Sequence, residues 1–385
     1  MRILEITAFS SGFCGLWARV EKESELLAKS GHEVFVLSSN IHRGSGNLEY
    51  ASLFEQRKNF SIFRFKPFTK FGENTYFWNF FKKAIKIKPE IIICHAYRQY
   101  YSTLALKVAK KLDIPCFLVT HAPFLEKKLG NWKTNSAKFL YDFLIGKKTL
   151  NNYSKIFTIT KWEVPYLLKL GAEKSKIIYS PNGIPQEFFT KKIKSQKNKL
   201  NKILFLGRIS PIKDIITLVR AFKICSEKNK NIQLILIGPI EQQYGLDLKR
   251  LIKKLNLEKQ ILFKGPVSDL NKKIKLIDDA DVCVLPSKRE GMPQSLIEMM
   301  ARKKIVIASK IPASEELISE AKNGYLFEQG NAKDLSEKIL FCFRNFSQLN
   351  KIRENAYRSV KKFKWEIIIS KILKILRETE LQQSL

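Results

Sequence analysis

The sequence lacks the usual marks of membrane-spanning, secreted and metal-binding proteins. No apolar run reaches the roughly 18–20 residues that a helix needs to cross a bilayer. The six cysteines are scattered, without a C-x-x-C pair or a histidine at metal-ligand spacing, so we expect reduced cysteines and no structural metal. The first residues, MRILEITAF, have the pattern of a strand and lack the basic and long apolar regions of a signal peptide. These absences predict a cytoplasmic protein.

Acidic residues are also few: 36 aspartates and glutamates stand against 69 lysines and arginines, for a net charge of +33 over 385 residues. Binding to nucleic acid, binding to an anionic membrane surface and a compositional bias toward lysine can each produce such an excess. The lysines are spread along the whole chain, and no helix-turn-helix, zinc-finger or aromatic RNA-binding motif is present. Nucleic acid is therefore the weakest explanation, and we expect no nucleic-acid partner.

Short apolar runs recur along the chain and alternate with longer helical patterns. One series extends from RILEITA to KIIYS, and a second extends from KILFLG to KIVIAS. Continuous apolar strands that alternate with helices are typical of parallel sheets covered by helices on both faces. The sequence therefore predicts an α/β protein with two doubly wound, Rossmann-like domains that face each other across a cleft.

A polar, lysine-rich segment without periodicity separates the two series of strands. It predicts a linker over residues 189–202. The first domain would then cover residues 1–188 and the second residues 203–365.

The stretch SKREGMPQSLIEMM places two carboxylates, Glu290 and Glu298, around a Gly-Met-Pro turn that opens a helix. A helix N-terminus attracts an anion such as a diphosphate, and ionised carboxylates accept hydrogen bonds from sugar hydroxyls. The same letters also fit a Ser-x-x-Glu capping box formed by Ser295 and Glu298, which would make Glu298 a structural cap. On this stretch alone both interpretations stay open.

Polar residues also follow several other predicted strands. Ligands of doubly wound sheets bind beyond the carboxyl ends of the strands, which makes such residues candidates for a site. Arg208 and Lys213 flank the turn after KILFLG, where they could neutralise a diphosphate or could be ordinary solvated charges. In the first series, His121 follows IPCFLVT and His95 follows EIIIC, while Gly15 lies in a turn without the G-x-G-x-x-G spacing of a dinucleotide fingerprint.

Seven segments, taken in order, carry a resemblance to a known family. They are LAKSGHEVFVL, VTHAP, SPNGI, FLGRISPIKDIITLVRAF, DVCVLPSKREGMPQSLIEMM, KNGYLF and KFKWE. In this order and spacing the chain resembles the retaining glycosyltransferases with a GT-B fold, sequence family 4, the glycosyl transferases group 1 type. The resemblance covers roughly residues 1–375.

The resemblance implies a hexosyltransferase-type enzyme. Its donor would be a nucleoside-diphosphate sugar of the UDP or GDP type, and its acceptor a hydroxyl of a glycan or of a polyprenyl-linked or other lipid-linked sugar. The anomeric configuration would be retained, in the synthesis of cell-surface polysaccharide or glycoconjugate. Domain 203–365 would bind the donor, domain 1–188 would face the acceptor, and a helix at about residues 366–380 would pack back on the first domain. The resemblance implies no cofactor and no metal.

The resemblance also assigns roles to positions of this sequence. Glu290 would contact the donor sugar and Glu298 the nucleotide ribose. Arg208 and Lys213 would bind the diphosphate, and His121 would lie beside the transferred sugar; with Glu290 these three form the expected catalytic set. The other expected donor-binding residues are Gly291, Met292, Pro293, Gly15 and Val267.

The segment from Phe60 to Pro89 interleaves aromatic residues with lysines. As a helix, its second half would place Phe77, Phe80 and Phe81 on one face and lysines on the other, with Trp78 at the edge. This pattern fits a helix packed on its own sheet, which we favour, and equally a helix at a membrane interface. We expect Trp78 and the preceding loop to contact lipid, at the inner face of the cell membrane.

Other functional classes stay open at this point. A catalytically silent GT-B partner protein would keep the fold without turnover, and a basic nucleic-acid-binding or membrane-binding protein would explain the charge. A nucleic-acid-binding protein would show steeply salt-dependent binding to DNA or RNA and no affinity for nucleotide sugars. An epimerase or sugar phosphorylase on the same fold is a closer rival.

Overall fold

The computed structural model describes residues 1–12, 14–43, 49–71, 75–124, 132–190 and 201–383. The chain forms two compact units. The first comprises Met1–Asn182 and Glu366–Leu385, and the second comprises Gly183–Trp365. Each unit is built on a sheet whose strands are mostly parallel and connected through helices, which confirms the predicted α/β class.

The first unit contains an eight-stranded sheet and two short hairpins. Its strands are β1 (Arg2–Phe9), β2 (Glu33–Ser39), β3 (Ile41–His42), β4 (Glu49–Tyr50), β5 (Phe54–Gln56), β6 (Phe60–Phe65), β7 (Thr69–Phe71), β8 (Thr75–Phe77), β9 (Ile91–His95), β10 (Cys116–Val119), β11 (Lys155–Thr158) and β12 (Ile177–Tyr179). The strand order of the large sheet is β12-β11-β10-β9-β1-β2-β6-β5, and its neighbours run parallel except β5 and β6. The order reverses between β1 and β9, so the carboxyl ends of these two strands mark its switch point.

Helices cover this sheet. They are α1 (Gly15–Lys29), α2 (Phe81–Ile87), α3 (Tyr100–Leu112), α4 (Trp132–Tyr141), continued by a π-helical turn over Asp142–Gly146, α5 (Lys147–Thr149) and α6 (Val164–Lys169). The central strands are buried along their length, as expected for a sheet with helices on both faces.

The second unit contains a six-stranded parallel sheet. Its elements are α7 (Glu187–Thr190), β13 (Lys202–Leu206), α8 (Ile215–Lys228), β14 (Gln233–Ile237), α9 (Gln242–Lys254), β15 (Ile261–Phe263), α10 (Leu270–Asp278), β16 (Val282–Leu285), α11 (Gln294–Ala301), β17 (Ile305–Ser309), α12 (Pro312–Glu315), β18 (Tyr325–Phe327), α13 (Ala332–Arg344) and α14 (Asn350–Val360). The strand order β15-β14-β13-β16-β17-β18 is that of a nucleotide-binding Rossmann sheet, with its switch point between β13 and β16.

The last helix, α15, spans Trp365–Gln383, and the first unit includes the chain from Glu366 onward. None of the helices within the described ranges is both long and apolar enough to cross a bilayer.

The border between the units differs from the expected one. The chain enters the second unit at Gly183, whereas the expected first domain extends to residue 188. Ile184 holds this segment in the second unit, because its N–H donates to the Phe363 carbonyl at 2.8 Å. Of the expected linker 189–202, residues 191–200 lie outside the described residues, while Thr190 ends α7 and Lys202 begins β13.

Two of the segments that carry the family resemblance, SPNGI and KFKWE, meet in the second unit. A Cβ atom on Gly183 would lie 2.5 Å from the ring of Trp365 and 2.9 Å from its Cα atom. Any side chain at residue 183 would therefore collide with the start of α15, so the glycine is required by packing.

The aromatic segment before α2 differs from the expected helix. Residues 75–77 form β8, and α2 begins only at Phe81, whose N–H donates to the Asn79 side chain at 2.9 Å. Trp78 is fully buried and its ring stacks on Phe65 with centroids 5.6 Å apart, so the expected contact of Trp78 with lipid is wrong. The favoured alternative, packing on the unit's own core, is what the segment does: Phe80 is buried as well.

Candidate functional site

The switch point of the second sheet brings two loops together. The loop after β13 ends in a 3₁₀ turn over Pro211–Lys213, and the loop after β16 continues to the start of α11. The N–H of Lys288 donates to the Ile212 carbonyl at 2.8 Å, which fixes the second loop against the first. Because both loops follow the carboxyl ends of adjacent strands, they form the edge where ligands of such sheets bind.

Lys213 and Glu290 meet at this edge. The Lys213 ammonium donates a hydrogen bond to Glu290 Oε1, and Ser287 Oγ donates to the same oxygen at 2.6 Å. The two side chains are mostly shielded from water, with exposed fractions of 19% and 10%. Such shielding strengthens the electrostatic interaction of the pair with any ligand that reaches it.

Glu298 is a buried carboxylate of α11 and does not cap that helix. The helix begins at Gln294 with Pro293 as its N-cap, and Pro293 makes no side-chain cap. Ser295 and Glu298 both lie inside the helix, so the capping-box interpretation is wrong. Instead, Glu298 Oε1 accepts a hydrogen bond from Lys273 Nζ at 2.6 Å. Burial raises the pKa of the Glu298 carboxyl above its ordinary value, and the Lys273 ammonium opposes that shift.

The remaining predicted residues of this unit lie along the same edge. Arg208 is exposed directly after Gly207, and Val267 is half-buried in the loop that follows β15. Gly291 and Met292 are half-buried before the buried Pro293, which precedes the first residue of α11. The N-terminus of α11 directly follows the loop that contains these backbone groups, and a helix N-terminus suits an anion.

The switch point of the first sheet holds a chain of three titratable side chains. Glu5 of β1 lies 2.8 Å from Nε2 of His95 at the end of β9, and Nδ1 of His95 lies 3.1 Å from Nε2 of His121 after β10. Glu5 and His95 are completely buried, while His121 is partly exposed.

Burial favours the neutral form of all three groups. It raises the pKa of Glu5 to about 8, lowers the pKa of His95 to about 4, and lowers that of His121 well below its ordinary value. A protonated Glu5 can donate to His95 Nε2, and His95 Nδ1–H can then donate to His121 Nε2. This arrangement leaves the proton of His121 on Nδ1, so the buried pair sets its tautomer.

The turn that carries His121 has a strained backbone. His121 and Ala122 have φ angles of 58° and 51°, in the left-handed region that non-glycine residues seldom occupy. Glu163, a buried carboxylate, holds this turn by accepting hydrogen bonds from the Thr120 hydroxyl at 2.5 Å and the Ala122 N–H at 2.9 Å. Strain of this kind concentrates at functional sites, where the surrounding structure maintains it.

One group of side chains could approach a metal ion geometrically. The ligand atoms of Glu5, Glu23 and His95 lie within 4.8 Å of one another, and they form the one such group in the described parts of the chain. However, both nitrogens of His95 already have partners, and Glu23 accepts a hydrogen bond from the Arg19 guanidinium at 3.0 Å. These contacts make the group a poor fit for a cation.

Gly15 is the first residue of α1, beside the loop that follows β1. A Cβ atom there would meet no atom within 4 Å, so open space adjoins this position. Arg19 lies one turn further along α1. It fixes the start of this helix by donating hydrogen bonds to the Ser180 carbonyl at 2.9 Å and to Asn182 Oδ1 at 3.0 Å.

Comparisons with known proteins agree with this architecture. The family model described as Glycosyltransferase Family 4 matches residues 15–188, and that described as Glycosyl transferases group 1 matches residues 186–359. The chain belongs to the group 1 glycosyltransferases with a GT-B fold.

Two relatives and one solved structure are similar to this glycosyltransferase over half of its length or more. An uncharacterized glycosyltransferase of Methanocaldococcus jannaschii is 25% identical over 384 residues, covering 94% of each chain. The capsular polysaccharide biosynthesis glycosyltransferase CapM of Staphylococcus aureus is 29% identical over 213 residues, covering 52% of this chain and 55% of CapM. The crystal structure of Anabaena HepE in complex with UDP-glucose matches with a TM-score of 0.75 at 17% identity, covering 98% of this chain and 100% of HepE.

Sequence reasoning missed several residues that build the sites of the glycosyltransferase. Lys273 is one of 69 basic residues, and nothing in its sequence context distinguishes it as the partner of Glu298. Glu5 has a stronger signal, because an acidic residue inside the apolar strand RILEITA must be buried and must therefore have a partner. Glu163 forms a capping box with Thr160 in the structure, and the Thr-x-x-Glu pattern of the sequence could have indicated it. Its second role at the His121 turn depends on tertiary contacts.

Proposed function

We propose that this glycosyltransferase moves a sugar from a nucleoside-diphosphate sugar to a hydroxyl of a glycan or lipid-linked acceptor, with retention of configuration. The observation that carries the proposal is the contact between Lys213 and Glu290, which joins a cation and a carboxylate at the switch point beside the N-terminus of α11. The names of the relatives support a UDP-sugar donor and a role in cell-surface polysaccharide synthesis.

In the proposed reaction the bond between the anomeric carbon and the diphosphate oxygen breaks. The acceptor oxygen forms its new bond on the same face of the sugar, and its proton passes to an oxygen of the departing diphosphate. Negative charge therefore accumulates on the diphosphate, where Arg208, Lys213 and the N-terminus of α11 would stabilise it. Because these groups supply fixed positive charge, we propose that transfer requires neither a divalent metal nor a cofactor.

The carboxylates bind and orient the donor. We assign Glu290 to hydroxyl groups of the transferred sugar and Glu298 to the hydroxyls of the ribose. Ionised carboxylates are strong acceptors for such hydroxyls. The backbone of Gly291 and Met292 would hold the sugar and the phosphate, and His121, in the tautomer set by His95, would lie beside the transferred sugar.

A binding and turnover experiment tests the proposal. UDP, GDP and ADP would be compared by thermal shift, where a ligand at 100 times its Kd adds about 2.7 kcal/mol to the free energy of unfolding. Labelled donors of the nucleotide that binds would then be incubated with candidate acceptors, and NMR would report the anomeric configuration of the product. A silent partner protein would bind without turnover, an epimerase would convert the donor sugar, and an inverted product would contradict retention.

We further propose that the enzyme works at an anionic membrane surface through α4 and the turn after it. Four apolar side chains of this helix and of the π-helical turn that continues it are between 49% and 72% exposed: Phe139, Leu140, Phe143 and Leu144. The rings of Phe139 and Phe143 stack with centroids 6.5 Å apart, and the exposed residues Lys147 and Lys148 follow in α5. Exposed apolar side chains beside lysines suit the interface of an anionic bilayer.

Sedimentation with phosphatidylglycerol vesicles, and with phosphatidylcholine vesicles for comparison, tests this surface. The variant F139S/F143S should lose binding to the anionic vesicles while its thermal stability is kept, since both side chains are exposed. The matched control L53S/F54S replaces two other exposed apolar residues of the same unit. Equal binding by all three proteins, or no preference of the wild-type protein for anionic vesicles, would contradict the proposal.

A further inference from the structure

An ion pair between Arg98 and Asp142 is tied to the turn that carries His121. Arg98 Nε donates to Asp142 Oδ1 at 2.8 Å, and a second guanidinium nitrogen donates to Oδ2 at 2.5 Å. The remaining guanidinium nitrogen donates to the Pro123 carbonyl at 2.8 Å. Because Pro123 lies two residues after His121, one guanidinium joins the His121 turn to a carboxylate on another element. A two-point contact of this kind also fixes the orientation of the guanidinium.

The ion pair is shielded from water and has further partners. The side chains of Arg98 and Asp142 are 14% and 13% exposed. The Arg98 guanidinium lies over the ring of Phe124, 5.0 Å from its centroid, and the Tyr97 hydroxyl donates to Asp142 Oδ1 at 3.0 Å. A shielded pair with additional contacts is held in one arrangement more firmly than an exposed pair, which side-chain motion and salt weaken.

Asp142 reaches this contact from an irregular turn of a helix. Residues Asp142–Gly146 form the π-helical turn between α4 and α5, a rare conformation that frequently occurs at functional sites. A Cβ atom on Gly146 would lie 2.0 Å from the Tyr97 hydroxyl oxygen. Gly146 therefore leaves the room that Tyr97 needs to bind Asp142, so both ends of the turn fit the same contact.

The backbone is strained on both sides of the contact. Ala96 and Arg98, after β9, have φ angles of 79° and 65°, in the same left-handed region as His121 and Ala122 after β10. β9 and β10 are parallel neighbours, so the two strained turns follow adjacent strand ends. Strained conformations persist only where the surrounding structure maintains them, and the bond from Arg98 to the Pro123 carbonyl joins these two turns.

We propose that Arg98 and Asp142 are positioning residues for His121. Asp142 orients the Arg98 guanidinium, which holds the Pro123 carbonyl and thereby keeps the His121 turn in the conformation that presents the imidazole to the transferred sugar. The two residues act through the turn and not by contact with the donor. The inference rests on the proposed role of His121 in transfer.

The variant R98M/D142N removes the contact while preserving its surroundings. It abolishes the hydrogen bond to the Pro123 carbonyl, leaves no charge of the pair without its partner, and keeps an amide oxygen as acceptor for the Tyr97 hydroxyl. Arg98→Lys is the second variant, because it keeps the charge but offers one ammonium group in place of the planar fork. Both variants should have the same effects, smaller in Arg98→Lys.

R2M/E33Q is the matched control in the same unit. Arg2 pairs with Glu33 at 2.7 Å and donates to a backbone carbonyl, that of Ile87, at 3.1 Å, so it combines the same two kinds of contact. Arg2 is the first residue of β1, whereas His121 follows the carboxyl end of β10. The control therefore removes a similar pair from the opposite edge of the same parallel sheet.

The ring signal of His121 reports the positioning without turnover. The chain has four histidines, so NMR of the full-length protein with labelled histidine gives four ring signals, and His121→Ala identifies the one that belongs to His121. This signal should move in R98M/D142N and stay in place in R2M/E33Q, while the signals of His32 and His42 stay in place in both. An unmoved His121 signal in folded R98M/D142N and Arg98→Lys overturns the proposal.

Kinetics separate positioning from general stability. The kcat would be measured with the donor and acceptor that the turnover experiment identifies, and the Kd with the nucleoside diphosphate of that donor. R98M/D142N should lower kcat about 10- to 100-fold at unchanged Kd, because a misplacement of about 1 Å at a reacting group costs up to about 100-fold. R2M/E33Q should match the wild-type protein in both constants, and an equal loss of kcat in the two double variants overturns the proposal.

A cycle with His121→Ala shows whether the pair acts through His121. In that background R98M/D142N should lower kcat further by less than about twofold, because a positioning residue has no effect without the group that it positions. Equal fold losses in the two backgrounds would mean that the pair supports the unit as a whole, which overturns the proposal. Where His121→Ala has no measurable turnover, the His121 ring signal decides.

Failure of the proposed function is recognised separately, by the absence of donor turnover in the wild-type protein. The ring signals do not depend on turnover, so they still show whether Arg98 and Asp142 hold the His121 turn. The two failures are therefore distinguishable.

Discussion

Replacing Glu298 by glutamine should weaken nucleotide binding while leaving the second unit folded. The Oε1 atom of Glu298 is occupied by Lys273 at 2.6 Å, so Oε2 is the atom that we assign to a ribose hydroxyl. A hydrogen bond to a charged group contributes about 1.5–3 kcal/mol. Loss of that contribution corresponds to a Kd for UDP or GDP that is about 10- to 150-fold higher, measurable by isothermal titration calorimetry.

A double-mutant cycle with Lys273→Met separates nucleotide binding from the ion pair. If Glu298 serves only as the partner of Lys273, each single variant and the double variant lose the same affinity, because each breaks the same pair. In our account Glu298→Gln loses more affinity than Lys273→Met, and the double variant resembles Glu298→Gln. Lys273→Met should also raise the pKa of the Glu298 carboxyl further, so its affinity should recover as the pH rises.

Glu354→Gln is the matched control for that cycle. Glu354 forms an exposed ion pair with Lys303 in the same unit, so the same chemical change there should leave nucleotide affinity and stability unaltered. Nucleotide binding by Glu298→Gln as tight as that of the wild-type protein would refute the assignment of Glu298 to the ribose.

Three further predictions concern catalysis, packing and pH. Lys213→Ala should lower kcat about 100- to 1000-fold in a protein that stays folded, and a loss of less than twofold would contradict a role in charge stabilisation. Gly183→Ala should lower the free energy of unfolding by about 1–3 kcal/mol, because its Cβ would collide with Trp365; Gly15→Ala, which meets open space, should not. Burial raises the pKa of Glu5 from 4.5 to about 8, so between these pH values the folded protein holds a proton on Glu5 that the unfolded chain has released. The free energy of unfolding of the wild-type protein should therefore fall as the pH rises. Between pH 6.5 and 8 it should fall by about 2 kcal/mol more than that of Glu5→Gln. Parallel denaturation profiles of those two proteins would contradict the neutral Glu5–His95–His121 chain.

The alternation of apolar strands with helical patterns was sufficient to predict the fold. Strands such as β16 and β17 are buried along their whole length, and only a sheet covered on both faces produces that pattern. The contact between Lys213 and Glu290 was also foreseeable in outline, because both residues follow strands that adjoin a switch point.

Other features depend on tertiary contacts that leave no local signal. The pattern of Ser295 and Glu298 satisfies the capping-box rule, yet the helix starts at Gln294, so Glu298 lies in its second turn beside Lys273. Trp78 was expected at a membrane because its segment alternates aromatic residues and lysines. In the structure the residues directly before Trp78 form the strand β8 and Trp78 is buried, and a search for helical periodicity cannot reveal a strand.

The most direct test of the central claim is donor turnover by the wild-type protein and by Glu290→Gln. The protein would be incubated with labelled UDP-sugars and GDP-sugars and an acceptor mixture, and release of the nucleoside diphosphate would be followed by NMR together with the labelled product. The account predicts release coupled to a product of retained configuration in the wild-type protein, and almost none in Glu290→Gln. Absence of release from every donor, or equal release by the two proteins, would contradict it.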